Sequence, residues 1–124
     1  MGLYVNAVVQ PGGRRISLRP SRRPDQLLQM LEALAKVVCF GGWPIEMIVE
    51  MEAGNLPYGA TIVVVTAVVT DRLRRTLVEL PRRGYGVALV ALGQARLDEA
   101  LPGVQYYHIG GREVWNELGS LALA

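Results

Sequence analysis

Few side chains in this 124-residue chain combine the types and spacing that catalysis requires. Cys39 is the only cysteine and His108 the only histidine. Cys39 sits in the apolar run Val37, Val38, Cys39, Phe40, with no nucleophile-like turn around it. That setting reads as a buried, inert thiol. A lone cysteine forms neither an intramolecular disulfide nor a cysteine-rich zinc site. The chain holds no G-x-S-x-G and no H-E-x-x-H, so no motif brings a nucleophile, a base and an oxyanion donor together. Glu46 and Glu50 stand one helical turn apart on an expected outward face, where solvation explains them more simply than a divalent-cation pair does. Asp25, Asp71 and Asp98 each fall near an expected helix start, where the helix dipole accounts for a carboxylate. The expectation is a protein that is not an enzyme, with no metal ligand and no cofactor.

Two groups of residues suit binding rather than bond-making. In open parallel sheets, ligands lie beyond the carboxyl ends of the strands. The residues expected there are Thr66, Gly93 with Gln94, and the turn Gly110, Gly111 and Arg112, the last of which could offer backbone amides and a guanidinium to a small anion. This turn lacks the spacing of a P-loop or a dinucleotide fingerprint. The second group is a basic stretch. Residues 1–24 carry Arg14, Arg15, Arg19, Arg22 and Arg23 and no acid, whereas Glu46, Glu50 and Glu52 make the middle of the chain acidic. Such a stretch attracts an acidic protein surface or phosphates. No aromatic residue interleaves it, so the stacking platform of a single-strand nucleic-acid binder is missing. Arg14, Arg15, Arg19, Arg22 and Arg23 are therefore the expected partner contacts.

These residues need a scaffold, and hydrophobic spacing supplies one. Leu3 to Val9 reads as a strand, and Ile16 to Arg19 completes a hairpin across the Pro11-Gly12-Gly13 turn. From Pro24, Leu27, Leu28, Leu31, Leu34, Ala35 and Val38 recur at one-face helical spacing until Gly41 and Gly42. Pro44 opens a second helix. Ala60 to Val65 and Val87 to Leu92 are uninterrupted apolar runs, as expected of strands covered on both faces of a parallel sheet. Between them, Thr70 caps a helix buried through Leu73, Leu77 and Leu80 and limited by Pro81, with Arg75 paired to Glu79. A brief helical piece near Leu97 to Leu101, a strand over Val104 to Ile109 and a last helix over Gly111 to Leu118 follow. The pattern predicts one α/β domain, residues 1–124, with a Rossmann-like, mostly parallel sheet and helices on both faces. No apolar run reaches the ~18 residues of a membrane span, and no secretory leader is readable at Met1, so a cytoplasmic setting is expected.

A longer pattern runs through the chain: G-L-Y-V-N, then R-P-S-R-R-P-D-Q-L with L-E-A-L-A-K-V, then L-P-Y-G-A-T-I-V-V-V-T, then R-R-G-Y-G-V-A-L-V-A-L-G. Over roughly residues 2–110 it resembles the carboxyl-terminal part of the DUF fifty-eight family, whose members are similar to von Willebrand factor A domains. The resemblance implies a Rossmann-like sheet and a role in protein interaction or assembly, with a MoxR-type AAA+ ATPase as the expected partner. The cation site of A domains is not reproduced: D-x-S-x-S is absent, Ser21 stands where a threonine would be expected, and Ala67 follows Thr66 where an aspartate would stand. The resemblance also implies that the family's first strand is missing, leaving the chain a fragment of a larger domain. Either Leu3 to Val9 then pairs directly with Ala60 to Val65, or a second copy covers the open edge as a homo-oligomer.

Overall fold

The computed structural model describes residues 1–9, 14–41, 43–93 and 97–110, with the backbone alone for 6–9, 14–15 and 38–41. The chain divides into two compact units, Met1–Leu56 and Pro57–Ala124.

The first unit is built on an antiparallel sheet. β1 (Leu3–Val9) pairs with β2 (Arg14–Leu18), as the hairpin reading expects. Its other edge is taken by β3 (Val37–Gly41), giving the order β2-β1-β3. Two expectations are corrected here. β1 has a neighbour on both sides and does not pair with the strand at Thr61. The long helix from Pro24 is also shorter than its apolar spacing suggests: α1 covers Gln26–Ala35. Beyond Lys36, the β-branched and aromatic run Val37, Val38, Cys39, Phe40 fits a pleated strand better than a helix, where χ1 crowding penalises it. The sheet of this unit is thus antiparallel, not part of a mostly parallel one.

Gln26 fixes the orientation of α1. It is 7% exposed, and its Nε2 donates to the carbonyls of Met1 (2.8 Å) and Arg19 (3.0 Å). The side of α1 that carries Gln26 therefore faces inward. The leucine stripe faces out, with Leu27 57%, Leu28 58%, Leu31 55% and Leu34 47% exposed. α2 (Ile45–Ala53) buries Ile48, Val49 and Ala53. Glu46, in its first turn, is also buried at 8%, while Glu50 is exposed, so the two do not share an outward face.

The second unit contains the parallel sheet that the apolar runs predict. β4 (Thr61–Thr66), β5 (Gly86–Leu92) and β6 (Val104–Ile109) lie in that order, all parallel and in continuous register. α3 (Asp71–Arg82) connects β4 to β5 and buries Leu73, Leu77 and Leu80 almost completely. The sheet residues beneath it form one row set, with Val64, Val87, Leu89 and Ala91 buried. Alternate positions point the opposite way, and there Val63, Val65 and Tyr107 are exposed. Before β6, the Leu97 N–H donates to the hydroxyl of Tyr106, a residue in the Val64–Leu89 row.

Local chemistry sets the ends of α3. The Thr70 hydroxyl accepts from the Leu73 N–H at 3.1 Å, which is the expected cap. Pro81 sits inside the last turn, and the helix runs one residue past it. Gly84 then turns with φ +93°, and Gly84 N–H and Tyr85 N–H bond the carbonyls of Pro81 and Leu80 in a Schellman closure. Glu79 pairs with Arg82 at 2.9 Å, not with Arg75 as expected, because an Arg-to-Glu order along a helix is the weaker arrangement. Residues 97–101 form no helix. Five residues ahead of a Pro-Gly turn are too few to nucleate one. The expected last helix from Gly111 lies outside the described residues. No helix among the described residues is long and apolar enough to cross a membrane.

Candidate functional site

The carboxyl ends of β4, β5 and β6 meet on one edge, where the sequence places Thr66 and Gly110. Register puts Thr66, Ala91 and His108 in a single row across the three strands. Thr66 and His108 therefore flank a small buried alanine, two strand spacings or roughly 10 Å apart. The N-terminus of α3 follows within four residues of Thr66.

Each group on this edge already has local partners. The Thr66 hydroxyl donates to the Val68 carbonyl at 2.9 Å and accepts from the Val68 N–H at 3.2 Å. The first-turn amide of Leu73 is bonded to Thr70, and the Asp71 carboxylate sits beside it, repelling an anion. Gly110 packs against the His108 ring and lies so close to the Gly93 carbonyl that an added Cβ would come within 2.6 Å of it. Gly111 and Arg112, the remaining members of the expected anion site, lie outside the described residues.

His108 is the residue whose place sequence reasoning missed. It is half-buried, and its Nε2 lies 2.7 Å from the Gly93 carbonyl oxygen. A carbonyl only accepts, so Nε2 carries the proton in this contact. The useful signal was the parallel register, which carries the end of the last strand to the edge that Thr66 occupies. The side chain of Cys39 lies outside the described residues, so no Cys–His geometry is described. Among the described residues, no three His, Cys, Asp or Glu side chains come together as a metal site would require.

The basic stretch divides into two parts. Arg14 and Arg15 belong to β2, where their backbones pair with Val9 and Val8. Arg19, Arg22 and Arg23 lie on the segment between β2 and α1 and are exposed. That segment is held in place rather than loosely extended. Ser21 N–H bonds the Met1 carbonyl, Arg23 N–H bonds the Ser21 hydroxyl, and Gln26 holds the Arg19 carbonyl. Arg23 has a long, exposed ion pair with Asp25 at 3.7 Å. Nearby Tyr4 keeps its phenol proton above the ordinary tyrosine value of 10.0, chiefly through burial and further through the Glu52 carboxylate, with Arg19 opposing both.

No family model, no curated protein and no solved structure matches this chain.

Proposed function

We propose that this chain is a non-catalytic protein-interaction domain of the von Willebrand A-like kind, as its resemblance to the DUF fifty-eight family implies, and that Arg19, Arg22 and Arg23, with Arg14 and Arg15 on the adjoining strand, contact an acidic surface of a protein partner. The observation that carries this reading is the pinned segment 19–23. Three exposed guanidinium groups are presented on backbone fixed by hydrogen bonds, with one weak ion pair among the described residues, Arg23 to Asp25. Ordering entropy is already spent before a partner arrives, so charge complementarity converts more fully into binding. The saturated hydrogen bonding at Thr66 and the Asp71 carboxylate favour this surface over the carboxyl edge as the contact. By family resemblance, the partner is a MoxR-type AAA+ ATPase.

The test is titration of the purified chain against such an ATPase by calorimetry at low and moderate salt. The expected result is binding that weakens with salt and falls at least ~10-fold in Arg19→Glu/Arg22→Glu/Arg23→Glu, whose circular dichroism stays that of the parent. Absence of heat at low salt, or a triple variant that binds like the parent, overturns the reading.

A further inference from the structure

α3 carries three arginines along a groove that it shares with residues 99–102, and one of them is short of partners. The groove, of about 670 Å³, is lined by Arg74, Arg75, Val78 and Arg82 from the helix and by Ala100 and Leu101 from the segment before β6. Arg75, Val78 and Arg82 follow one another at spacings of three and four, so they share a side of α3. Arg82 is engaged with Glu79 at 2.9 Å. Arg75 is exposed and has no ion pair among the described residues. Arg74 is the unusual member. Its Nε is the one buried side-chain polar atom among the described residues that lacks a hydrogen-bond partner, and its Nη1 reaches the Asp71 carboxylate only at 3.9 Å, beyond hydrogen-bond range. The side chain is nonetheless 31% exposed and borders the groove. An arginine placed where one of its donors goes unmet costs the free chain stability. Binding is the use that such a residue has, since a carboxylate takes charge-assisted bonds from the outer nitrogens of the guanidinium fork.

The rest of the lining sets the charge and shape of the ligand. Asp71, Glu79 and Glu99 also border the groove, so its formal charges balance and a multiply charged anion is repelled. A single carboxylate meets less opposition, and Val78, Ala100 and Leu101 offer its apolar body a surface. We propose that the groove between α3 and residues 99–102 binds a small organic monocarboxylate, with Arg74 and Arg75 holding the carboxylate and Val78 and Leu101 the apolar part. This site lies wholly within the second unit, so it stands or falls apart from the arginine segment 19–23 of the first.

Two-dimensional NMR of the full chain at low salt tests it, with hexanoate as the probe and inorganic phosphate and hexylamine as controls. Hexanoate at millimolar concentrations is expected to shift the amides of α3 and residues 99–102 saturably, phosphate to bind there more weakly and hexylamine not at all. Arg74→Met is expected to weaken hexanoate at least ~10-fold while melting no lower than the parent without ligand, because it removes an unmet donor and keeps an apolar stem. A residue that served structure alone would lower the melting temperature and leave binding unchanged. Arg75→Gln, altered at an exposed position, keeps the test open should Arg74→Met fold poorly, and is expected to weaken hexanoate at least ~3-fold. No saturable shift with hexanoate, equal binding of phosphate or hexylamine at these residues, or folded arginine variants that bind hexanoate like the parent overturns the proposal.

Discussion

The His108 imidazole donates Nε2–H to the Gly93 carbonyl at 2.7 Å, while the Gly93 N–H bonds the Ile109 carbonyl at 2.9 Å. Side chain and backbone together fasten the end of β6 to the turn that leaves β5. The clasp leaves no room at Gly110.

Gly110→Ala is therefore expected to lose about 1–3 kcal/mol of stability, the usual cost of forcing atoms into filled space. Urea unfolding measures it. Adding His108→Ala removes the ring contact but not the Gly93 carbonyl, so the double variant is expected to remain less stable than His108→Ala alone. Equal midpoints would show that the edge yields freely.

The two ends of α3 make a paired prediction. Thr70→Ala removes the acceptor of the Leu73 N–H and is expected to cost about 1 kcal/mol, whereas Thr70→Ser keeps most of it. Gly84→Ala forces an L side chain to φ +93° and is expected to cost about 1–2 kcal/mol. Tyr58 lies near the added methyl but is largely exposed and can swing aside, so strain dominates. Thermal unfolding of the three variants checks the order.

The faces of the parallel sheet differ in what they tolerate. Leu77→Ala, under α3, is expected to lose about 2–5 kcal/mol. Val63→Ala, on the exposed face of β4, is expected to lose far less, within a few tenths of about 0.5 kcal/mol. Comparable losses would mean that the exposed face is packed in solution.

Alkaline stability should report on Tyr4. Its folded phenol holds the proton above 10.0, so the folded state binds that proton more tightly than the unfolded chain does. The resulting stability is complete below pH 10.0 and is lost as pH rises through the folded value. Tyr4→Phe is expected to flatten the decline of the unfolding midpoint above pH 10.0, and ultraviolet difference titration against the parent should give a midpoint above 10.0. A difference midpoint below it contradicts the assigned environment.

The second unit was legible because its signals agree. Uninterrupted valine runs, a threonine cap and a three-leucine stripe all specify a strand, a helix and another strand, and local preference matches burial. The first unit misleads where they conflict. The leucines of α1 mark a helix correctly but not its inward side, because the buried anchor is the amide of Gln26, and spacing cannot distinguish a core stripe from an exposed one. Val37 to Phe40 continues the apolar count of a helix while its β-branched members prefer a strand, so periodicity extended α1 over β3. At the carboxyl edge, Thr66 could be read from strand order, but its internal bonding to Val68 could not, since such turns depend on backbone angles after the strand.

Because β4, β5 and β6 are laid down in one direction and α3 covers one face of them, neighbouring residues along a strand answer to different demands. Val64 and Leu89 are constrained by the interior. Val63, Val65 and Tyr107, a single step away, can be exchanged for other residues with little effect on the ladder beneath. Descendants of this sequence can thus acquire new surface adhesion by point changes at Val63, Val65 and Tyr107, while the framework that displays them is inherited intact.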